Sequence, residues 1–283
     1  MYLEGVIICC GYADFLAHTL PYNKHHFDRL VVVSDTKDTA TKKLCEHLNV
    51  ECIQTDIFYE NGDKFNKAKG INVGLNALSN ADWVIHLDAD IYLPPMFRNI
   101  MNNIIEELPK DNIYGVDRMM CPDYSAWASY MDDPKPLHEG WIYVHPNIFP
   151  VGVRIAEYTH KGWEPIGYFQ MWNPKISNVF LYPDQHGAAD RTDVMFCKNW
   201  PRGKRQLIPE IICIHIESEN LDLKEMGKNW NGRKTKPFTY EETAESVNIA
   251  IDNVQEVKPI RITFLQKIGI FFGHAFRCLL LNF

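Results

Sequence analysis

Residues 82–95 read Asp-Trp-Val-Ile-His-Leu-Asp-Ala-Asp-Ile-Tyr-Leu-Pro-Pro, an apolar strand that ends in two carboxylates and stops at a double proline. Residues i and i+2 of an extended backbone point to the same side, so we expect Asp88 and Asp90 to present their oxygens together. Paired carboxylates there suit a hard divalent cation whose remaining ligands are substrate phosphates. Asp-x-Asp also occurs in plain acidic loops, but the buried strand before this one favours a metal site.

Short apolar strands alternate with helical patterns through the first hundred residues. Strands are predicted at 6–10, 30–35, 51–54 and 83–88, and helices at 14–27, 36–47, 65–78 and 97–108. This alternation predicts an α/β fold, a mostly parallel sheet sandwiched by helices. Ligands of such sheets bind beyond the carboxyl ends of the strands. Gly11, Asp35 and the pair Asp88/Asp90 all follow such ends.

Composition limits the class of protein. The 283 residues are 46% hydrophobic and 23% charged, as in an ordinary globular protein, and the net charge of −7 argues against nucleic-acid binding. The eight cysteines form no Cys-x-x-Cys pair, which favours a reducing, cytoplasmic location. We expect no signal peptide, and no apolar run reaches the ~18–20 residues that span a bilayer.

The order strand–Gly11, strand–Asp35, a helix with Lys69 and Asn72, then strand–Asp88-Ala89-Asp90 resembles the nucleotide-sugar half of GT-A glycosyltransferases, family 2 in particular, over residues 4–95. The resemblance implies a GT-A fold and a hexosyltransferase that uses Mn2+ or Mg2+ and a nucleotide-sugar donor, with UDP-sugar favoured. No glycine-rich dinucleotide or P-loop motif is present to support the rival nucleotide-binding classes.

The resemblance also implies roles for single residues. Asp35 contacts the nucleoside, Lys69 to Asn72 lie near the base and phosphates, Asp88 reaches ribose or metal-bound water, and Asp90 binds the metal. The full predicted donor set is Cys10, Gly11, Asp35, Asn66, Lys69, Asn72, Asp88, Trp230 and Arg233.

Structural alternatives stay open for several of these residues. Asp35 lies among good helix-capping residues and could simply cap the next helix. Lys69 and Asn72 could be solvated surface. Gly70 inside a helix costs stability relative to alanine, so it requires a close neighbour, either a ligand or another part of the chain.

The second half contains the candidate base. An inverting transferase needs a carboxylate that takes the proton of the attacking acceptor hydroxyl. The family element is an acid before the helix on the acceptor side, which makes Asp193 the first candidate and Asp190 the second, with helix N-capping as the alternative. His215, near the end of the strand-like run 211–217, is implied as a third metal ligand beside Asp88 and Asp90, and a core histidine is its alternative.

Aromatic residues follow in the same half. Rings beside polar groups suit the faces of sugars. Four aromatic side chains are therefore candidates for the acceptor site: Trp163, Tyr168, Trp172 and Trp200. Burial in the core is the alternative for each of them. The segment 228–234, with Trp230 and Arg233, could fold over the donor diphosphate. The Gln-x-x-Arg-Trp signature of processive family-2 enzymes is absent, which favours non-processive transfer.

These patterns divide the chain into a nucleotide-sugar half (1–110), an acceptor and catalytic half (111–240) and a C-terminal helical extension (241–283). The broad apolar face of residues 260–283 could make a peripheral membrane contact, mediate a dimer or dock on the domain. The expected acceptor is a glycan, a lipid-linked molecule or a protein. The rival functions are a sugar-nucleotide nucleotidyltransferase and a degenerate sugar-binding or scaffold relative.

Overall fold

The computed structural model describes residues 1–79, 81–132, 163–218, 233, 235–239, 251, 254–255 and 257. Its strands are β1 (Leu3–Ile8), β2 (Arg29–Ser34), β3 (Glu51–Gln54), β4 (Trp83–Asp88), β5 (Ile91–Tyr92), β6 (Ile113–Cys121), β7 (Phe169–Trp172) and β8 (Arg205–Ile216). Its helices are α1 (Ala13–Asn23), α2 (Thr39–His47), α3 (Lys67–Ala77), α4 (Phe97–Ile104), α5 (Tyr124–Asp132), α6 (Pro174–Ser177) and α7 (Thr192–Cys197).

The strands form an eight-stranded sheet in the order β3-β2-β1-β4-β7-β6-β8-β5. The first four strands of this order are parallel, β7 runs antiparallel to both of its neighbours, and β6 and β8 are parallel to each other. The two-residue β5 pairs antiparallel with the end of β8 and sets Ile91 opposite His215. The sheet is therefore mixed, and the carboxyl ends of β1, β2 and β4 share one edge.

Side chains of the parallel strands alternate between two apolar layers, as the period of a strand requires. Ile7 and Val32 belong to the layer that contains residues of α1, α2 and α4, whereas Val6 and Val33 belong to the layer that contains residues of α3 and α7. Helices therefore cover both faces. The predicted α/β fold class is confirmed, with the correction that the second half adds antiparallel pairs.

Several element bounds differ from the predicted ones. Helix α2 begins at Thr39 rather than residue 36, because the carboxylate of Asp38 accepts the Thr41 N–H and caps it. Strand β8 begins at Arg205, before the apolar run that predicted it. Trp230 and the segment 260–283 lie outside the described residues. Within the part of the chain that is described, no helix is both long and apolar enough to cross a bilayer.

Candidate active site

The Asp-x-Asp motif occupies a turn rather than a continuous strand. Asp88 is the last residue of β4, and Ala89 and Asp90 turn the chain into β5. The charge of Asp90 contributes to raising the pKa of Asp88, so the two carboxylates influence each other, but not through the i, i+2 geometry of an extended chain. Each therefore faces a different set of side chains.

Two buried polar residues of α1 fix the backbone of this turn. Thr19 Oγ1 donates to the Ala89 carbonyl at 2.7 Å, and Asn23 Nδ2 donates to the Ile91 carbonyl at 2.6 Å. Asn23 Oδ1 also accepts the N–H of Leu93 at 2.9 Å. Both side chains are fully buried, so these hydrogen bonds satisfy groups that would otherwise be costly to bury. These hydrogen bonds from α1 thus fix the backbone on both sides of Asp90.

Asp88 forms an ion pair with a lysine from the start of α3. Lys67 Nζ lies 2.5 Å from Asp88 Oδ1. Removal from water raises the pKa of Asp88, and the charge of Lys67 opposes this effect. Beneath the pair, His86 is buried with Nε2 3.7 Å from Asp88 Oδ1, and burial lowers the pKa of His86 well below its usual range. The His86 ring is therefore neutral.

Asp90 faces His215 at the end of β8, with 3.2 Å between Asp90 Oδ2 and His215 Nε2. Its other oxygen, Oδ1, is buried and has no hydrogen-bond partner among the described residues. A buried carboxylate oxygen without a partner is costly unless a ligand occupies the space beside it, so Asp90 fits a cation site.

The protein alone supplies few metal ligands here. No group of three His, Cys, Asp or Glu side chains in the described parts of the chain is arranged to hold a metal ion. A hard cation at Asp90 would therefore take most of its ligands from phosphate oxygens and water, which is how Mg2+ is commonly bound beside substrate phosphates.

The carboxyl ends of β1 and β2 form an open edge beside the motif. Gly11 adopts a positive φ of 72°, and a side chain there would meet no atom of the described residues within 4 Å. Its N–H donates to Asp38 at 2.7 Å. Asp35 accepts the N–H of Lys37 at 2.8 Å, so it forms a local turn and does not cap α2. The half-buried Cys10 lies against the Asp35 backbone.

An exposed tyrosine stands over this open edge. The Tyr59 residue is 44% exposed, and partial burial together with nearby Cys10 and Asp35 raises the pKa of its hydroxyl. A half-exposed ring near the carboxylate of Asp35 is a suitable platform for a planar base.

Three predicted donor residues of α3 instead connect this helix to its neighbours. Asn66 caps α3 by accepting the Lys69 N–H, and Lys69 Nζ donates to Asp63 Oδ2 at 2.8 Å. Asn72 makes two hydrogen bonds to the backbone of Tyr182, at 2.7 and 2.9 Å. The ring of Phe58 fills the space beside Gly70, so a neighbouring side chain explains this glycine. Contact of these residues with a donor stays a prediction.

The candidate base Asp193 lies in the first turn of α7. Its Oδ2 accepts the N–H of Gly167 at 2.8 Å, and the carbonyl of the adjacent Tyr168 accepts the N–H of Asp88 at 3.1 Å. Residues 167–168 thus connect Asp193 to the motif. Asp190 lies before the start of α7, and its Oδ1 is 3.0 Å from Nε2 of His186.

Three of the four predicted acceptor aromatics are buried. Tyr168, Trp172 and Trp200 are 3%, 0% and 2% exposed. The Trp172 ring lies edge-on against Phe196, with centroids 4.8 Å apart. Rings enclosed in this way present no face to a sugar, so the core alternative holds for these three. Trp163 is partly exposed and keeps its predicted role as a candidate.

Arg233 is fully engaged in the structure. Its five N–H groups donate to Asp14 Oδ1 (2.5 Å) and Oδ2 (2.7 Å) and to three carbonyls, those of Gly11, Thr235 and Lys236. The Asp14 side chain is fully buried. A donor diphosphate would have to displace one of these partners, so this role of Arg233 stays a prediction.

Sequence reasoning did not find Lys67, Tyr59, Thr19 or Asn23. A signal existed for the last pair, since two polar residues four apart on the buried face of an apolar helix need buried partners. A signal existed for Lys67 also, because a helix that follows a parallel strand begins at the carboxyl edge of the sheet. For Tyr59, in an irregular segment, the sequence contains no comparable signal.

No protein-family model and no curated protein sequence matches the chain. Solved structures do resemble it. One is the mannosyltransferase PcManGT from Pyrobaculum calidifontis in complex with GDP-Man and Mn2+, at 12% identity over 75% of this chain and 56% of that chain, with a TM-score of 0.47. Another is mannosyl-3-phosphoglycerate synthase from Rubrobacter xylanophilus, at 16% identity over 42% of this chain and 41% of that chain, with a TM-score of 0.35.

A third similar structure is glucosyl-3-phosphoglycerate synthase from Mycobacterium tuberculosis in complex with Mn2+, UDP and phosphoglyceric acid, at 11% identity over 80% of this chain and 73% of that chain, with a TM-score of 0.45. The chain spans 56% and 41% of the first two proteins. Similarities as distant as these do not decide what the chain binds or catalyses.

Proposed function

We propose that the protein is a metal-dependent glycosyltransferase that moves a sugar from a nucleotide diphosphate donor, UDP-sugar being favoured, to an acceptor hydroxyl. The observation that carries this proposal is Oδ1 of Asp90, which is buried at the edge where β4 ends and has no hydrogen-bond partner in the part of the chain that the structure describes. The same edge carries the exposed Gly11 and the carboxylate of Asp35, which is 9% exposed, and this combination suits a nucleoside.

In this proposal, different residues bind different parts of the donor. A divalent cation at Asp90 would offset the negative charge that develops on the departing nucleotide diphosphate. Lys67, placed at the same edge by its ion pair with Asp88, adds a fixed positive charge for the phosphates. Asp35 accepts hydrogen bonds from the ribose, and the exposed ring of Tyr59 stacks on the base. Both the diphosphate and the nucleoside of the donor are thus bound.

Asp193 serves as the base in this proposal. It takes the proton from the acceptor hydroxyl while the hydroxyl oxygen attacks the anomeric carbon from the face opposite the leaving diphosphate, which inverts the configuration. The hydrogen bonds from Gly167 and Val194 support this role, because they hold the carboxylate in one orientation. Asp190 is the second candidate. Transfer is non-processive.

The test is release of sugar from nucleotide sugars in the absence of acceptor, with Mn2+ and after chelation. The proposal predicts cation-dependent release with at least one UDP-sugar, and a loss of at least ~10²-fold in Asp90→Asn. Asp111→Asn, which removes a surface carboxylate paired with Lys204, is the matched control and should match wild type. Full activity after chelation contradicts the proposal. Pyrophosphate release from a nucleoside triphosphate and a sugar phosphate would identify a nucleotidyltransferase instead.

A further inference from the structure

A hydrogen bond from Arg118 decides which nitrogen of His215 carries the proton. Arg118 Nη1 lies 2.8 Å from His215 Nδ1. Arginine has donors and no acceptor, so Nδ1 must be the acceptor in this contact. The single proton of the neutral ring is then on Nε2, the nitrogen that faces Asp90 Oδ2 at 3.2 Å.

This arrangement keeps His215 from binding a cation. A ring nitrogen that carries hydrogen has no lone pair for a metal, and here that nitrogen is the one beside Asp90. Moving the proton to Nδ1 would aim an N–H at the donors of Arg118. In the structure as it stands, His215 therefore holds Asp90 in place by donating to it, and Asp90 Oδ1 is left for the cation.

Arg118 itself is only partly satisfied in this position. Its guanidinium carbon lies 4.5 Å from the centroid of the Tyr168 ring, a cation–π contact, but its Nε is buried without a hydrogen-bond partner among the described residues. A diphosphate offers several oxygens to the planar fork of an arginine, which one imidazole nitrogen does not. A diphosphate bound to the cation at Asp90 would come within reach of Arg118.

We infer that Arg118 is a positioning residue that keeps His215 in the non-ligating form until the donor diphosphate draws the guanidinium away. The ring proton then moves from Nε2 to Nδ1, and the lone pair of Nε2 binds the cation. This inference rests on the proposed function. It makes cation and diphosphate binding mutually dependent: the cation site gains its histidine ligand only when the diphosphate is present. Two ligands coupled in this way each raise the affinity for the other.

The binding experiment measures free Mn2+ by electron paramagnetic resonance, with and without UDP. In wild type, UDP should tighten Mn2+ binding strongly. Arg118→Met should bind Mn2+ without UDP about 10-fold more tightly than wild type, because its His215 is free to ligate, and UDP should add little further affinity. Equal Mn2+ affinity of the variant and wild type without UDP overturns the inference.

A double-mutant cycle separates this effect from simple removal of a positive charge. Arg118→Met should have no effect on Mn2+ affinity in a His215→Gln background, since glutamine can still donate to Asp90 but cannot change between the two forms. If the full gain persists in that background, charge alone explains it and the inference fails.

Long-range 15N correlations of the histidine rings, with His215→Gln identifying the signal, should show the proton on Nε2 in metal-free wild type. A proton on Nδ1 overturns the inference whatever the metal data are. If wild type binds no Mn2+ even with UDP, the proposed function fails. The NMR measurement of which ring nitrogen carries the proton still tests the Arg118–His215 pairing in that case.

Discussion

Lys67 and Asp88 form an ion pair between the start of α3 and the end of β4, with 2.5 Å between Nζ and Oδ1. The two side chains are 17% and 27% exposed, so the contact is at the mouth of the site rather than in the core. Lys69, two residues further, lies about 200° around the helix and pairs with Asp63 instead. Of the two lysines, Lys67 is the one aimed at the motif.

This difference predicts that Lys67→Met weakens donor binding more than Lys69→Met does. Loss of Lys67 removes the positive charge nearest to the motif, so the Kd for UDP with Mn2+ should rise at least ~10-fold. The matched Lys69→Met variant should lose less affinity, within about threefold, because Lys69 pairs with Asp63 and not with the motif. Titration calorimetry measures both values. Equal weakening in the two variants would contradict the assignment.

The role of Asp193 predicts a separation of turnover from donor binding. Asp193→Asn should lower turnover at least ~10²-fold while the Kd for UDP stays within a few-fold, since the base acts on the acceptor. Because Asp193 also accepts the Gly167 N–H, a melting curve must show that the variant is folded. If Asp193→Asn turns over normally and Asp190→Asn does not, the base is Asp190.

The buried pair of Asp14 and Arg233 predicts a large stability effect. Asp14 accepts two N–H groups of Arg233 and the N–H of Phe238. Asp14→Asn leaves Arg233 without its counter-charge and should lower the free energy of unfolding by about 3 kcal/mol in urea titrations. Asp111→Asn, which breaks an exposed pair, should cost far less. A loss below 1 kcal/mol in Asp14→Asn would show that this pair does not stabilise the fold.

A buried histidine predicts the direction of the pH dependence of stability. Burial lowers the pKa of His26 from 6.5 to about 4. Between these values the unfolded chain binds more protons than the folded one, so the free energy of unfolding falls as the pH drops from 6.5 to 4, by about 3 kcal/mol at most from this residue. His26→Gln should flatten the curve over that window. An unchanged slope in the variant would contradict a neutral, buried His26.

The parallel half of the fold was predictable because its signals are local. Continuous apolar runs predicted β1, β2 and β4, and the helical spacing of apolar residues predicted α3. Since parallel strands share an edge, the clustering of Gly11, Asp35 and Asp88 could also be predicted.

The rest depends on contacts between distant residues. The pairing of β5 with β8 brings His215 to Asp90 across more than a hundred residues, and a two-residue strand has no periodicity to detect. The sequence allows Asn72 to be a donor contact or a solvated surface residue, and only the fold shows that its side chain binds the backbone of Tyr182. The aromatic run that ends at Trp172 has the same composition whether it is a sugar platform or a core strand, and only packing against Phe196 separates the two.

The most direct test of the account is the Kd of UDP measured by titration calorimetry, with Mn2+ and with chelator, for wild type and Asp90→Asn. The account predicts that Mn2+ tightens UDP binding to wild type at least ~10-fold, and that Asp90→Asn loses this gain while retaining the weaker, metal-free binding. An equal gain from Mn2+ in wild type and Asp90→Asn, or no binding of UDP to wild type under either condition, would contradict it.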